Sequence, residues 1–222
     1  MVPGQRPKNQ DQRPKPYAVA AIILAAGRSS RMGAFKPLLP FGSKTIVDTS
    51  IDAMRGAGIE TIIVVIGSDE HAQALQRHLA NSNVVFAVNP NAQSEMDASI
   101  AVGVRAVPPG VKAVVINPVD NAAVPSEVIS SLILEWLAGA KLLKPVNAER
   151  GGHPVLVDLH FRNELLHLDP QLGLKGLFEA HKPGVKRVFV ESNYIARDMD
   201  TWDDYRALHE DVFGEPAPEK GQ

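Results

Sequence analysis

The sequence predicts an α/β domain of three layers, with helices on both sides of a mostly parallel sheet. Three observations carry that expectation. Short β-branched runs alternate with longer helical patterns, strand then helix, four times over. The first run, AVAAIILAA (18–26), has no polar position on either face, as a strand covered on both sides requires. A chain of 222 residues, 45% of them hydrophobic, is long enough to bury a core of that size without covalent staples.

The elements follow in order. After the first strand and its polar loop, a helix over 45–57 stops before Gly58, a residue suited to the left-handed position past a helix end. TIIVVIG (61–67) reads as the second strand and HAQALQRHLA as the helix behind it. VVFAVN (84–89) is the third strand, with a helix over 94–107. KAVVIN (112–117) is the fourth, and Pro125 suits the first turn of the next helix. Beyond about residue 141 the rhythm loosens into KLLKPV, GGHPVLVD, helical pieces over 161–168 and 174–181, and KRVFVE. The last helix begins at Thr201, where TWDD places an aspartate three residues after a threonine, a capping-box pattern.

Residues 1–16 carry four prolines and four basic residues and no hydrophobic segment of the signal-peptide kind, so we expect a disordered tail. Residues 17–213 form the domain, and 214–222, with EPAPEKGQ, a second tail. There is no cysteine, which rules out disulfides and thiolate metal sites and makes a reducing cytoplasm the expected compartment. A net charge of −2 gives no reason to expect nucleic acid or an anionic membrane as partner. No apolar run approaches the ~20 residues of a membrane span.

Sheets of this kind bind ligands beyond the carboxyl ends of their strands. The unusual residues lie there. LAAGRSSRMGAFKPLLPFG (24–42) runs from an apolar strand into a loop with Gly27, Arg28, Ser29, Ser30, Arg31 and Lys36. A glycine that lets backbone N–H groups approach, two guanidiniums and a mobile ammonium suit a polyphosphate. A solvated basic turn is the plain alternative. The loop is neither a Walker sequence nor the dinucleotide fingerprint.

The stretch LAAGRSSRMG, with Lys36 and PLLPFG behind it, resembles the signature loop of nucleotidyltransferases related to the molybdenum cofactor cytidylyl- and guanylyltransferases. Sugar-nucleotide and methylerythritol phosphate cytidylyltransferases are more distant relatives of that group. The resemblance implies a single-domain, Rossmann-like nucleotidyltransferase fold with an antiparallel part in the C-terminal half. It implies that Leu24, Ala25 and Ala26 line a base pocket and that Gly27, Arg28, Ser29, Ser30, Arg31, Met32, Gly33 and Lys36 hold a triphosphate. Arg28, Lys36 and Asp120 would carry the catalysis.

Asp120 follows the fourth strand, and Asp198 and Asp200 lie in RDMDTWDDY. Carboxylates beside a triphosphate are hard oxygen ligands for Mg²⁺. On the residues alone, Asp120 could equally cap a turn and Asp198 be merely solvated. The resemblance implies that Asp120 and Asp200 bind Mg²⁺, with Asp198 as a further ligand candidate. Asn121 and Ala122 stand where relatives favour glutamine or methionine and then proline, a departure bearing on the acceptor side. NPNAQSEMDASIAVGV (89–104) resembles the family's base-recognition segment: Met96 and Ser99 match it, whereas Glu95 and Asp97 replace smaller residues. GGHPVLVD (151–158) resembles the gly-his-pro segment of the molybdenum cofactor branch, making Gly152, His153 and Pro154 acceptor-binding candidates. The other histidines have no metal-ligand spacing.

The activity implied is transfer of CMP from CTP to a phosphorylated acceptor of molybdopterin type, with pyrophosphate released. A phosphate monoester is ionised near neutral pH, second pKa about 6, and needs no general base. The resemblance also implies that the Ala26 methyl narrows the base pocket and favours CTP over GTP. A molybdoenzyme recipient is a further partner implied. Transfer from GTP, a sugar or polyol phosphate acceptor, and a cofactor-carrying chaperone without turnover are the alternatives.

Overall fold

The computed structural model describes residues 18–27, 32–91, 96–148 and 150–218. Its frame is β1 (Val19–Leu24), every residue of which is buried. Side chains alternate along a strand, so β1 serves two cores. Val19, Ala21 and Ile23 belong to one cluster, and Ala20, Ile22 and Leu24 to the other. Both parallel neighbours, β4 (Thr61–Ile66) and β6 (Ala113–Pro118), are apolar along almost their whole length. The edge strand β5 (Val85–Val88) is parallel to β4.

The first cluster packs against α1 (Ile46–Gly56), α2 (Glu70–His78), α4 (Ser126–Leu137) and α7 (Trp202–Phe213). The second packs against α3 (Met96–Arg105), α5 (Arg162–Leu166) and α6 (Gly173–Ala180). Helix and sheet approach closely at Gly103 on α3, where an added Cβ would meet the Ile22 Cγ2 at 2.6 Å. Truncating Ile22 to alanine there would cost about 2–5 kcal/mol.

Beyond β6 the chain forms β7 (Leu142–Asn147), turns through β8 (Arg150–Gly151) and returns as β9 (Val155–Asp158). β9 lies between β6 and β7 and is antiparallel to both. β10 (Val185–Phe189) completes the sheet, parallel to β7, in the order β10-β7-β9-β6-β1-β4-β5. The antiparallel part is therefore the single strand β9 with the short β8.

The elements read from sequence are present, with ends shifted by a few residues. Pro125 is the cap residue before α4 rather than its first residue. The hairpin of β2 (Pro40–Phe41) and β3 (Lys44–Thr45) was not anticipated; two-residue strands leave no periodicity to read. The Gly42 φ of 62° makes its turn. After α7, Gly214 takes φ 70° and its N–H donates to the Glu210 carbonyl, while Ala217 still packs on the first cluster. Among the described residues no helix is long and apolar enough to cross a membrane.

Candidate active site at the carboxyl edge of the sheet

The apolar strands stop together, and polar residues begin where they stop. After β1, Ala25 donates its N–H to the Val65 carbonyl at 2.8 Å, and exposure rises through Ala26 to Gly27. Among the described residues, a Cβ added to Gly27 would meet nothing within 4 Å. Arg28, Ser29, Ser30, Arg31 and Glu95 lie outside the described residues.

Past the loop, three contacts from α7 pin the returning chain. The Trp202 indole N–H donates to the Met32 carbonyl at 2.9 Å, the Tyr205 hydroxyl to the Pro40 carbonyl, and the Gly42 N–H to His209 Nε2 at 3.2 Å. These hold a short 3-10 turn (Lys36–Leu38) against the sheet. Lys36 is consequently 7% exposed, a rare degree of burial for a lysine, and it is paired. Its ammonium donates to Asp120 Oδ2 at 3.5 Å and to Asp200 Oδ1 at 3.2 Å. Asp120 comes from the end of β6, and Asp200 directly precedes the Thr201 cap of α7. Three distant segments thus meet on one charge.

Burial pushes the Asp120 carboxyl above the usual aspartate range; Lys36 pulls it back, while Asp198 and Asp200 push it further up. Among the described residues, three carboxylates, Asp120, Asp198 and Asp200, gather around the Lys36 ammonium. Two hard carboxylates at a single cationic position form a donor set that fits a divalent ion. Among the described residues no three acidic or histidine side chains converge to hold an ion unaided, so substrate oxygens would complete its shell.

Asp198 is placed differently from its two neighbours. Its Oδ1 accepts from Asn121 Nδ2 at 3.1 Å, and that amide also reaches the Tyr194 and Arg197 carbonyls. Asn121, read from sequence as shaping the acceptor side, is the clamp that holds the 194–198 segment. Asp198 lines a cavity of about 450 Å³ together with Gly152 and His153. Gly152 has no alternative there, since a Cβ would lie 1.8 Å from the Ile195 carbonyl oxygen. Pro154 is buried and follows a cis peptide bond. Burial pulls His153 below the usual histidine value, against Asp198 and a bond to the Ile116 carbonyl, and its Nδ1 is buried without a partner.

Met96 and Ser99, which the sequence pairs, both lie on α3. Ser99 is buried, its hydroxyl accepting from Asn89 Nδ2 at 3.0 Å, whereas Met96 is 49% exposed. Asp97 is half-buried on the first turn of α3. Sequence reasoning missed Trp202, Tyr205, Asn89 and the role of Asn121. Only Trp202, an indole one residue from an acid-threonine pair, stands out in the sequence.

The model of the MobA-like NTP transferase domain matches residues 21–185. Among curated relatives, 2-C-methyl-D-erythritol 4-phosphate cytidylyltransferase of Streptomyces avermitilis is 28% identical over 145 residues, 62% of this chain and 58% of that protein. This chain thus spans little more than half of that relative. Molybdenum cofactor cytidylyltransferase of Escherichia coli is 37% identical over 91 residues, 40% of this chain and 46% of that one. The crystal structure of Rv0371c from Mycobacterium tuberculosis superposes with a TM-score of 0.75 at 29% identity, covering 86% of this chain and 98% of the other; a second structure of that protein is a complex with manganese. A match over residues 21–185, on a sheet whose carboxyl edge gathers Lys36, Asp120 and Asp200, shows that this chain belongs to the MobA-like NTP transferase family.

Proposed function

We propose that this chain is a nucleotidyltransferase that moves CMP from CTP to the phosphate of a molybdopterin-type acceptor and releases pyrophosphate. The observation that carries the reading is the buried Lys36 ammonium held between Asp120 and Asp200 at the end of the strands. The names of the relatives, two cytidylyltransferases among them, support CTP.

An incoming triphosphate offers Lys36 a denser negative charge than the two carboxylates do. The ammonium, on its flexible stem, turns to the phosphates and neutralises charge as the acceptor oxygen attacks the α-phosphorus in line. Asp120 and Asp200, released from Lys36, would hold Mg²⁺, which supplies charge neutralisation between the phosphate oxygens and the protein. Arg28 and the N–H groups after Gly27 are assigned to the triphosphate, and Leu24, Ala25 and Ala26 to the base. Gly152, His153 and Pro154 face the acceptor. Here His153 is bonded to the Ile116 carbonyl and burial pulls it below the usual histidine value, which favours the uncharged ring.

Thermal shift with Mg²⁺ and each of CTP, GTP, ATP and UTP tests this reading. CTP gives the largest stabilisation, and Lys36→Ala weakens its binding by about 1–3 kcal/mol, the worth of a charged hydrogen bond. A larger shift with GTP moves the assignment to the guanylyl branch. No shift with any of the four overturns the enzyme and leaves a carrier. The Streptomyces relative favours a second reading, a polyol phosphate as acceptor. Pyrophosphate release on adding a polyol phosphate, and none on adding molybdopterin, would establish it.

A further inference from the structure

The opposite edge of the sheet holds a group of charges that nucleotidyl transfer does not use. Lys112 directly precedes β6, Lys141 directly precedes β7, and the antiparallel β9 ends between those two strands at Asp158. The Lys112 carbonyl accepts from the Leu159 N–H at 2.7 Å, and the Lys141 carbonyl from the Asp158 N–H at 2.8 Å. Both lysines are thereby fixed on either side of the turn at 158–159. Arg162, the first residue of α5, follows the same turn. The six residues of β6, about 20 Å of strand, separate this edge from Asp120.

A cavity of about 760 Å³ opens here, with Lys112, Lys141, His160 and Arg162 in its walls beside Trp136. Its volume is that of a small-molecule site. Asp158 is the one carboxylate among the described wall residues, and each of its oxygens already accepts a hydrogen bond. Oδ2 accepts from the Trp136 indole N–H at 2.8 Å, and Oδ1 from the His160 backbone N–H at 2.8 Å. Among the described residues no carboxylate forms an ion pair with Lys112, Lys141 or Arg162. The fold therefore brings three cations from three stretches of chain to one opening. Like charges so gathered repel. An oxyanion among them replaces that repulsion with charge-assisted hydrogen bonds. The guanidinium suits two phosphate oxygens at once, and the ammoniums adjust on flexible stems. Three positive charges match several phosphates better than one carboxylate.

We propose that this cavity binds a polyphosphate, free or as the tail of a nucleotide, between Lys112, Lys141 and Arg162, at a site separate from the one where nucleotide reacts. The inference does not depend on the transferase reading.

Equilibrium dialysis of the full chain carrying Lys36→Ala, with inorganic tripolyphosphate in EDTA buffer, tests it. That substitution weakens the reacting site and leaves the opposite edge as it is, so saturable binding remains. Lys141→Gln and Arg162→Gln together, checked for folding by melting curves, weaken it at least about tenfold, as the loss of charged hydrogen bonds requires. Lys112→Gln alone, a milder change, weakens it in the same direction. Lys44→Gln removes a cation elsewhere and leaves it unchanged. In the chain that keeps Lys36, the Lys141 and Arg162 pair of substitutions lowers the number of tripolyphosphates bound by one. CTP in the same cells assigns the source: affinity equal to that of tripolyphosphate marks the free anion, and tighter binding marks a nucleotide tail. No saturable binding, binding that survives the double substitution, or an equal loss with Lys44→Gln overturns the proposal.

Discussion

Two helices of this fold begin with the same device and are put to different uses. At α1 the Thr45 hydroxyl accepts from the Asp48 N–H and the Asp48 carboxylate accepts from the Thr45 N–H; at α7 Thr201 and Asp204 repeat the pattern. The residue before each threonine makes the difference. Lys44 points outward to Asp52 on the same helix, whereas Asp200 points inward to Lys36. A capping box fixes the direction in which the chain enters a helix. It is structural where the entering residue meets solvent and becomes part of the site where that residue faces the strand ends.

The largest expected effect tests that distinction at the entering residues. Asp200→Asn lowers pyrophosphate release with CTP about 10²–10³-fold, the cost of losing one preorganised electrostatic group, while Lys44→Gln leaves it unchanged. Similar losses in both would break the comparison. Next come the caps. Thr45→Ala and Thr201→Ala each cost about 1 kcal/mol in chemical denaturation, but only Thr201→Ala also slows turnover, because only there does the cap aim a carboxylate.

A smaller effect separates stability from function within the site. Burial raises the folded-state value of Asp120 above that of the unfolded chain. Its contribution is therefore full below the ordinary aspartate value, about 3.9, and is lost as pH rises through the raised value. Asp120→Asn, which cannot ionise, melts higher than the parent at pH 7 while losing activity, and the gap closes on acidification. At α1 the sign is opposite. Burial pushes Asp48 up, but Thr45 and His78 outweigh it and hold its carboxyl low. That contribution exists above about pH 3.9 and disappears as pH falls through the lowered value. Since the pair is partly exposed, His78→Phe costs only about 0.5 kcal/mol, and turnover does not change.

The parallel half of the sheet was legible because its strands are covered on both faces: VAAIIL and TIIVVI allow no other role. That Lys36 and the two acids belong together was legible only through the family resemblance, since on the residues alone Asp120 could equally have capped a turn. Asn121 was not. An asparagine after an acid looks like a departure from a pattern, and its reach to residues 194–198 is a tertiary fact with no local signal. An antiparallel part in the C-terminal half was expected from the resemblance and β9 supplies it, but its place between β6 and β7 has no local signal in a four-residue strand.

The three bonds from α7 to residues 32–42 join segments about 170 positions apart in the chain. A ribosome makes proteins from the amino end, so the loop bearing Lys36 emerges early and waits. Until residues 202–209 follow, these three bonds cannot form, and the segment is held by nearer neighbours, among them Phe35 stacked on His71 and the Ile46 N–H donating to the Leu39 carbonyl. The last helix to be made is thus the final tie on the stretch that carries Lys36.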